Sequence, residues 1–157
     1  MKKVIIVGAG FAGLQTAKGL ATSSFEVTII DKNNYHLFQP LLYQVATAGL
    51  SPADIAVPIR NIFRSQQNPK VVLDELIKIN PDLNQITTKN NTYIYDFLVI
   101  ATGSEPSYFG HDQWKNFSPG LKNIEDATSI RAKILKAFEK AERVKNCLLY
   151  TSPSPRD

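Results

Sequence analysis

An apolar run, Val4-Ile5-Ile6-Val7, leads straight into Gly8-Ala9-Gly10-Phe11-Ala12-Gly13, and few patterns restrict a fold as tightly. The run predicts a buried strand, and G-x-G-x-x-G behind a strand predicts a sharp turn into a helix. Each residue type has a mechanical task. Gly8 lets the chain turn out of the strand, Gly10 removes a side chain so that backbone can approach a pyrophosphate, and Gly13 lets the helix lie close on the sheet. Phe11 and Ala12 open that helix, whose first N–H groups lack intrahelical partners and attract phosphate oxygens. A second strand is predicted over residues 25–30, and Asp31 stands at its end, placed to accept hydrogen bonds from ribose hydroxyls. In isolation Asp31 would read as a turn cap, and glycines alone recur by chance in loops. Strand before, helix after and acid beyond are three independent conditions, and together they read as a dinucleotide cradle.

The helix, expected over residues 11–21, carries the small residues Ala12, Ala17 and Ala21, which permit close packing on a sheet. Residues 35–44 then bring aromatics and amides with almost no charge and no clear period, so the segment needs covering. Within it a lone His36 reads as hydrogen-bonded and structural rather than as a general base. Tyr35, Phe38 and Tyr43 stay open between core packing and ring stacking. Ser51-Pro52-Ala53-Asp54 has the signature of a helix start, and the helix is expected to run through Ile55, Pro58 and Ile59, bent or ended at Pro58. Short β-branched runs over residues 70–95 predict an antiparallel meander inserted in the sheet. Residues 97–101 form an unbroken apolar run, expected as a central parallel strand covered on both faces, and it ends in the glycine turn Thr102-Gly103-Ser104. Open α/β sheets bind ligands at the carboxyl ends of their strands, so this turn should face the same crevice as the first. A final helix is expected over residues 125–143, capped by Asn123. Ile130, Ile134, Phe138 and Ala141 would face inward, with Arg131, Lys133, Lys136 and Lys140 solvated. The fold class is therefore α/β: a Rossmann-like domain with a parallel sheet and an inserted antiparallel meander, truncated.

Composition narrows the function. With 157 residues the chain suffices for one domain and the beginning of another. The net charge of +4 is spread over scattered Lys and Arg, which argues against a nucleic-acid surface, since such surfaces need clustered basic side chains. No apolar stretch approaches the roughly 18 residues of a membrane span, and the apolar N-terminus reads as a strand leading into a glycine loop rather than as a signal peptide, so the chain by itself is expected to be soluble. Cys147 is the single cysteine, which leaves no internal disulfide, no C-x-x-C pair and no cysteine zinc cluster. Redox chemistry would have to come from a cofactor. Neither a catalytic side chain nor a metal-ligand set is assigned.

Three blocks together resemble the N-terminal part of type II NADH dehydrogenases, the single-subunit NADH:quinone oxidoreductases of the flavoprotein superfamily with two dinucleotide-binding domains. They are Val-Ile-Ile-Val-Gly-Ala-Gly-Phe-Ala-Gly-Leu from Val4, Asn-Tyr-His-Leu-Phe-Gln-Pro-Leu-Leu-Tyr-Gln-Val-Ala-Thr-Ala-Gly-Leu from Asn34 with Ser-Pro-Ala-Asp-Ile-Ala-Val-Pro-Ile-Arg from Ser51, and Tyr-Asp-Phe-Leu-Val-Ile-Ala-Thr-Gly-Ser from Tyr95. The first and third mark the superfamily, and the middle block carries the specific activity. The resemblance covers residues 2–145 and implies that the cradle holds FAD. Gly8, Gly10 and Gly13 would contact its pyrophosphate, with Phe11 and Ala12 beside them, Asp31 its adenosine ribose, Lys32 the outer face of the adenosine and Leu76 the adenine through backbone. Ala101, Thr102 and Gly103 would line the pyrophosphate and ribityl side, and Gln39 and Pro40 would lie beside the redox ring. NADH would supply a hydride and quinone would collect two electrons. The resemblance further implies an enzyme attached peripherally to the cytoplasmic side of a membrane, with a homodimer left open.

Several family parts have no counterpart here: a second Rossmann domain for NADH, a returning Gly-Asp segment, a quinone-site motif and C-terminal amphipathic helices. The expectation is a fragment, inactive alone, with the N-terminal part of the FAD-binding domain over 1–120, a helical connection over 121–146 and a foreign tail over 147–157. Cys147 in that tail is given no role. The alternatives are another flavoprotein of the superfamily, such as a sulfide:quinone or a ferredoxin or rubredoxin reductase-like enzyme, and a stand-alone dinucleotide-binding module. Sulfide oxidation would need redox cysteines, and none precedes Cys147.

Overall fold

A computed structural model describes residues 1–143; the tail over 147–157 and its Cys147 lie outside the described residues. In chain order the elements are β1 (Lys3–Val7), α1 (Phe11–Gly19), β2 (Glu26–Asp31), β3 (Tyr35–Leu37), a 3₁₀ turn at Gln39–Leu41, α2 (Leu42–Ala46) and α3 (Pro52–Ile55). They continue with β4 (Ala56–Pro58), α4 (Ile59–Ile62), β5 (Pro69–Leu73), β6 (Leu76–Asn80), β7 (Gln85–Thr88), β8 (Thr92–Ile94), β9 (Phe97–Ile100), a 3₁₀ turn at Asp112–Asn116 and α5 (Ile124–Arg143). The described residues fall into two compact units, Met1–Leu37 with Ala56–Glu105, and Phe38–Ile55 with 106–143.

The first unit is built on a parallel sheet of order β5-β2-β1-β9. Its register pairs Val4 with Val27 and Val7 with Ile30 on one side of β1, and Val4 with Phe97 and Val7 with Ile100 on the other. Side chains alternate across a strand, so the unbroken run of β1 supplies two cores. Val4 and Ile6 join Leu14 and Ala17 of α1, Ile59 of α4, Val27, Ile29 and Phe63 on one face. Ile5 and Val7 join Ile30 of β2 and Ile86 of the antiparallel β6-β7-β8 meander on the other. Ile6, Val27, Ile29, Ile30 and Ile86 are wholly buried, each such side chain contributing roughly 1.5–3 kcal/mol. This double cover explains why β1 reads as apolar throughout.

Four expectations need correction. The run at Val71 belongs to β5, which pairs in parallel with β2, and only β6, β7 and β8 form the meander. Residues 97–100 form an edge strand, bonded to β1 alone among the described residues, and Phe97 and Ile100 are exposed. An apolar run records a demand for cover and does not fix a strand's place in the order. The helix opened by Ser51 ends at Ile55, before Pro58, because residues 56–58 extend to pair with β3 inside the segment read as aperiodic. Its start is as expected: Ser51 Oγ accepts from the Ala53 N–H at 3.3 Å and Asp54 Oδ2 from the Ser51 N–H at 2.8 Å.

In the second unit α2 packs on α5, with Leu42, Val45 and Ala46 buried from α2 and Ala127 from α5. The fourth correction falls here: Ile134 and Phe138, expected to face inward, are exposed, the latter at 68%. Among the described residues no helix is long and apolar enough to cross a membrane.

Candidate functional site

β1 and β9 run parallel as neighbours, so the Gly8 and Gly103 turns leave the sheet at the same edge. Gly8 has φ +101°, and a Cβ there would overlap the carbonyl of Ala101, the residue that follows β9. A Cβ on Gly13 would overlap the carbonyl oxygen of Gly8, so this glycine sets how closely α1 approaches the turn. Gly10 differs in kind: it is exposed, with ordinary φ −71°, and a Cβ there would meet nothing within 4 Å. Gly8 and Gly13 are thus required by the fold, whereas Gly10 keeps open a space that the protein does not fill. It is also the N-cap of α1, which starts with no side-chain cap and no acid in its first turn. Such a terminus carries a partial positive charge suited to an anion.

Two side chains hold the turn from behind. The buried Ala9 donates its N–H to Asp31 Oδ2 at 2.6 Å, and its carbonyl lies 2.9 Å from Nδ1 of His36, itself buried. Asp31 Oδ1 accepts the Asn33 N–H at 2.7 Å. A carboxylate offers about four acceptor sites, so Asp31 can tie the turn to the end of β2 and still receive ribose hydroxyls. The sequence offers a turn cap and ribose binding for it: the bond from the Asn33 N–H is such a cap, and the bond from Ala9 has no local signal. His36 was legible as a hydrogen-bonded core residue, but its partner, 27 positions earlier, was not.

Lys32, exposed after β2, reaches Glu105 Oε1, five residues past β9, at 3.9 Å in a solvated pair of little intrinsic strength. Thr102 and Gly103 are exposed, and Gly103 has φ +76°. Leu76 packs with the Ile5–Val7–Ile30 face at the start of β6, and Asp74 just before it donates its N–H to the Asp31 carbonyl at 2.9 Å. One edge of the first unit therefore assembles Gly8, Gly10, Phe11, Ala12, Gly13, Asp31, Lys32, Ala101, Thr102 and Gly103, with Leu76 tied in through Asp74. Gln39 and Pro40 belong to the second unit, where Gln39 Nε2 donates to the Lys122 carbonyl at 3.3 Å.

Among the described residues no cluster of His, Cys, Asp and Glu is arranged to hold a metal. The site's polar elements are backbone amides, the Asp31 carboxylate, the Lys32 ammonium and the Thr102 hydroxyl, a set chemically able to hold an anion.

Residues 2–146 match the pyridine nucleotide-disulphide oxidoreductase family. A type II NADH:quinone oxidoreductase of Mycobacterium tuberculosis is 46% identical over 144 residues, covering 89% of this chain and 31% of the relative. Among solved structures, NDH2 of Plasmodium falciparum in complex with NADH superposes with TM-score 0.78 at 28% identity, over 90% of this chain and 30% of that one. The sulfide:quinone oxidoreductase of Aquifex aeolicus gives TM-score 0.78 at 27% identity, over 88% and 33%. The chain thus spans about a third of the length of the proteins it resembles.

Proposed function

This chain belongs to the pyridine nucleotide-disulphide oxidoreductase family, and from that premise we propose that it is the FAD-holding part of an NADH:quinone oxidoreductase. The observation that carries the reading is Gly10: an exposed glycine with unstrained backbone, facing open space at an uncapped helix N-terminus beside Asp31. The residues fit the group. Gly8, Gly10, Phe11, Ala12 and Gly13 would present backbone to the pyrophosphate, Asp31 would accept the ribose hydroxyls, and Lys32 would cover the adenosine, with the Leu76 backbone at the adenine. Ala101, Thr102 and Gly103 would line the pyrophosphate and ribityl side, and on the resemblance Gln39 and Pro40 would serve the redox ring.

When bound, FAD would supply the chemistry, accepting a hydride from NADH and passing two electrons to a quinone. The chain's own contribution is to bind and orient. Asp31 holds Ala9 and the ribose at once, and the start of α1 neutralises phosphate charge without a lysine. The activity assignment is supported by the Mycobacterium tuberculosis relative, whose name states that reaction. On this reading the sites for NADH and quinone, and a peripheral attachment to the cytoplasmic side of the membrane where quinone dissolves, belong to the length of the relatives that this chain does not span. The sulfide:quinone likeness extends to the fold, but no cysteine pair is available here for sulfide chemistry.

The test uses Gly10→Ala in the full chain, titrated with FAD by flavin fluorescence. Because a Cβ at Gly10 meets nothing, the variant should melt as the wild type does while FAD affinity falls at least about tenfold, the cost of obstructing a close backbone approach. Equal affinity in the two proteins, or a wild-type chain that binds NADH in preference to FAD, would overturn the assignment.

A further inference from the structure

We propose that His36 is a positioning residue of the glycine turn, its Nδ1–H fixing the plane of the Ala9–Gly10 peptide so that the Gly10 N–H is aimed at the ligand's phosphate. The inference rests on the dinucleotide reading of the turn for its ligand, but its geometry stands without one.

A carbonyl only accepts, so the 2.9 Å contact to the Ala9 oxygen puts the hydrogen on Nδ1 of His36. That oxygen belongs to a residue only 2% exposed, where an unsatisfied carbonyl would be costly, and the imidazole satisfies it. The other polar group of Ala9 is taken by Asp31. Both peptide planes flanking Ala9 are therefore held by side chains from outside the turn. In a trans peptide the C=O and N–H point in opposite directions, and the chain contains no cis bond among its described residues. A Gly8 carbonyl turned away from Asp31 faces Gly13, in agreement with the overlap a Cβ there would meet. A Gly10 N–H turned away from His36 points away from the buried imidazole, and Gly10 itself is exposed.

The imidazole is itself held twice. His36 pairs with Val57 in the β3–β4 ladder, and the Phe11 ring meets it edge to face at 5.1 Å and 89°. Phe11 is the first residue of α1, so one side chain braces the turn and the helix start together. Its two properties, a donor and a ring, are separable by substitution. An Asn amide nitrogen can take the place of Nδ1 without the ring, whereas Phe keeps the ring without the donor.

FAD titration and backbone-amide NMR of the full chain test this with His36→Asn and His36→Phe. His36→Phe should weaken FAD binding by about tenfold, as expected for loss of one buried hydrogen-bond partner, and shift the Gly10 amide resonance in the ligand-free protein. His36→Asn should restore both to near wild-type values. Wild-type affinity and an unmoved Gly10 amide in His36→Phe, with losses in His36→Asn, would assign His36 to packing and overturn the proposal. If His36→Phe fails to fold, His36→Asn decides alone: retention supports the proposal and loss ends it. A wild-type chain without FAD affinity would defeat the dinucleotide reading, while the amide resonances would still judge His36.

Discussion

Asp74, at the turn between β5 and β6, bonds the backbone of Asp31 through its own N–H. It is buried, which acts to raise its pKa. Hydrogen bonds from the Thr88 hydroxyl at 2.8 Å, the Glu75 N–H at 2.8 Å and the side chains of Asn91 and Asn90 prevail and hold the carboxyl below the usual range. A depressed folded pKa contributes stability that is present above the unfolded value, near 3.9, and is lost as pH falls through the folded one. Urea midpoints should therefore drop from about pH 4 downward, and Asp74→Ala should be less stable at neutral pH while flattening that drop. A drop of equal steepness in the variant would assign the acid sensitivity elsewhere. Because the Asp74 N–H bonds the Asp31 carbonyl, acid should also loosen the backbone behind the Asp31 carboxylate. At this scale the sequence was informative about residue types and silent about partners. Gly8, Gly10 and Gly13 were recognisable from spacing, but the difference between two fold-required glycines and one open one depends on Ala101 and Gly8 carbonyls that no local pattern reveals.

Elements with self-contained chemical signals were legible. The Ser51–Asp54 box and the Asn123 cap need only their own neighbours, and Asn123 Oδ1 does accept the Asp126 N–H at 2.7 Å to open α5. Replacing Asn123 with Ala should cost about 1 kcal/mol, measured by chemical denaturation, and Asn123→Asp should retain most of it; a neutral Ala variant would show that α5 starts without this cap. Elements whose identity depends on a distant partner were misread. β3 is three residues long and exists because residues 56–58 pair with it, so neither periodicity nor Pro58 could announce it. β5 has the same β-branched composition as the meander strands and differs only in pairing parallel to β2. β9 has the apolar run of a central strand, yet leaves Phe97 and Ile100 in solvent because β1 alone flanks it among the described residues.

Across the whole molecule, burial is concentrated where the glycine turn is anchored. β1 is flanked by β2 and β9 and covered on both faces by separate apolar clusters, so its amides can exchange only when the first unit opens as a whole. α5 stands at the other extreme: of its 20 residues Ala127 alone is buried, and Ile134, Leu135 and Phe138 are exposed toward its end. Its exposed end, unlike the start around the buried Ala127, depends largely on its own propensity, which holds isolated helices only marginally. Native-state hydrogen exchange should therefore find the slowest amides in residues 4–7 and 27–30 and the fastest helical ones in residues 134–143, separated by several kcal/mol of opening free energy. On the proposed reading FAD should slow exchange in the turn at Gly8–Gly13 most strongly, since stabilisation by a ligand accrues to the state that binds it. If residues 134–143 exchanged as slowly as β1 in dilute protein, their apolar side chains would have to be covered in solution, and the speeding of that exchange on further dilution would identify the cover as a second copy.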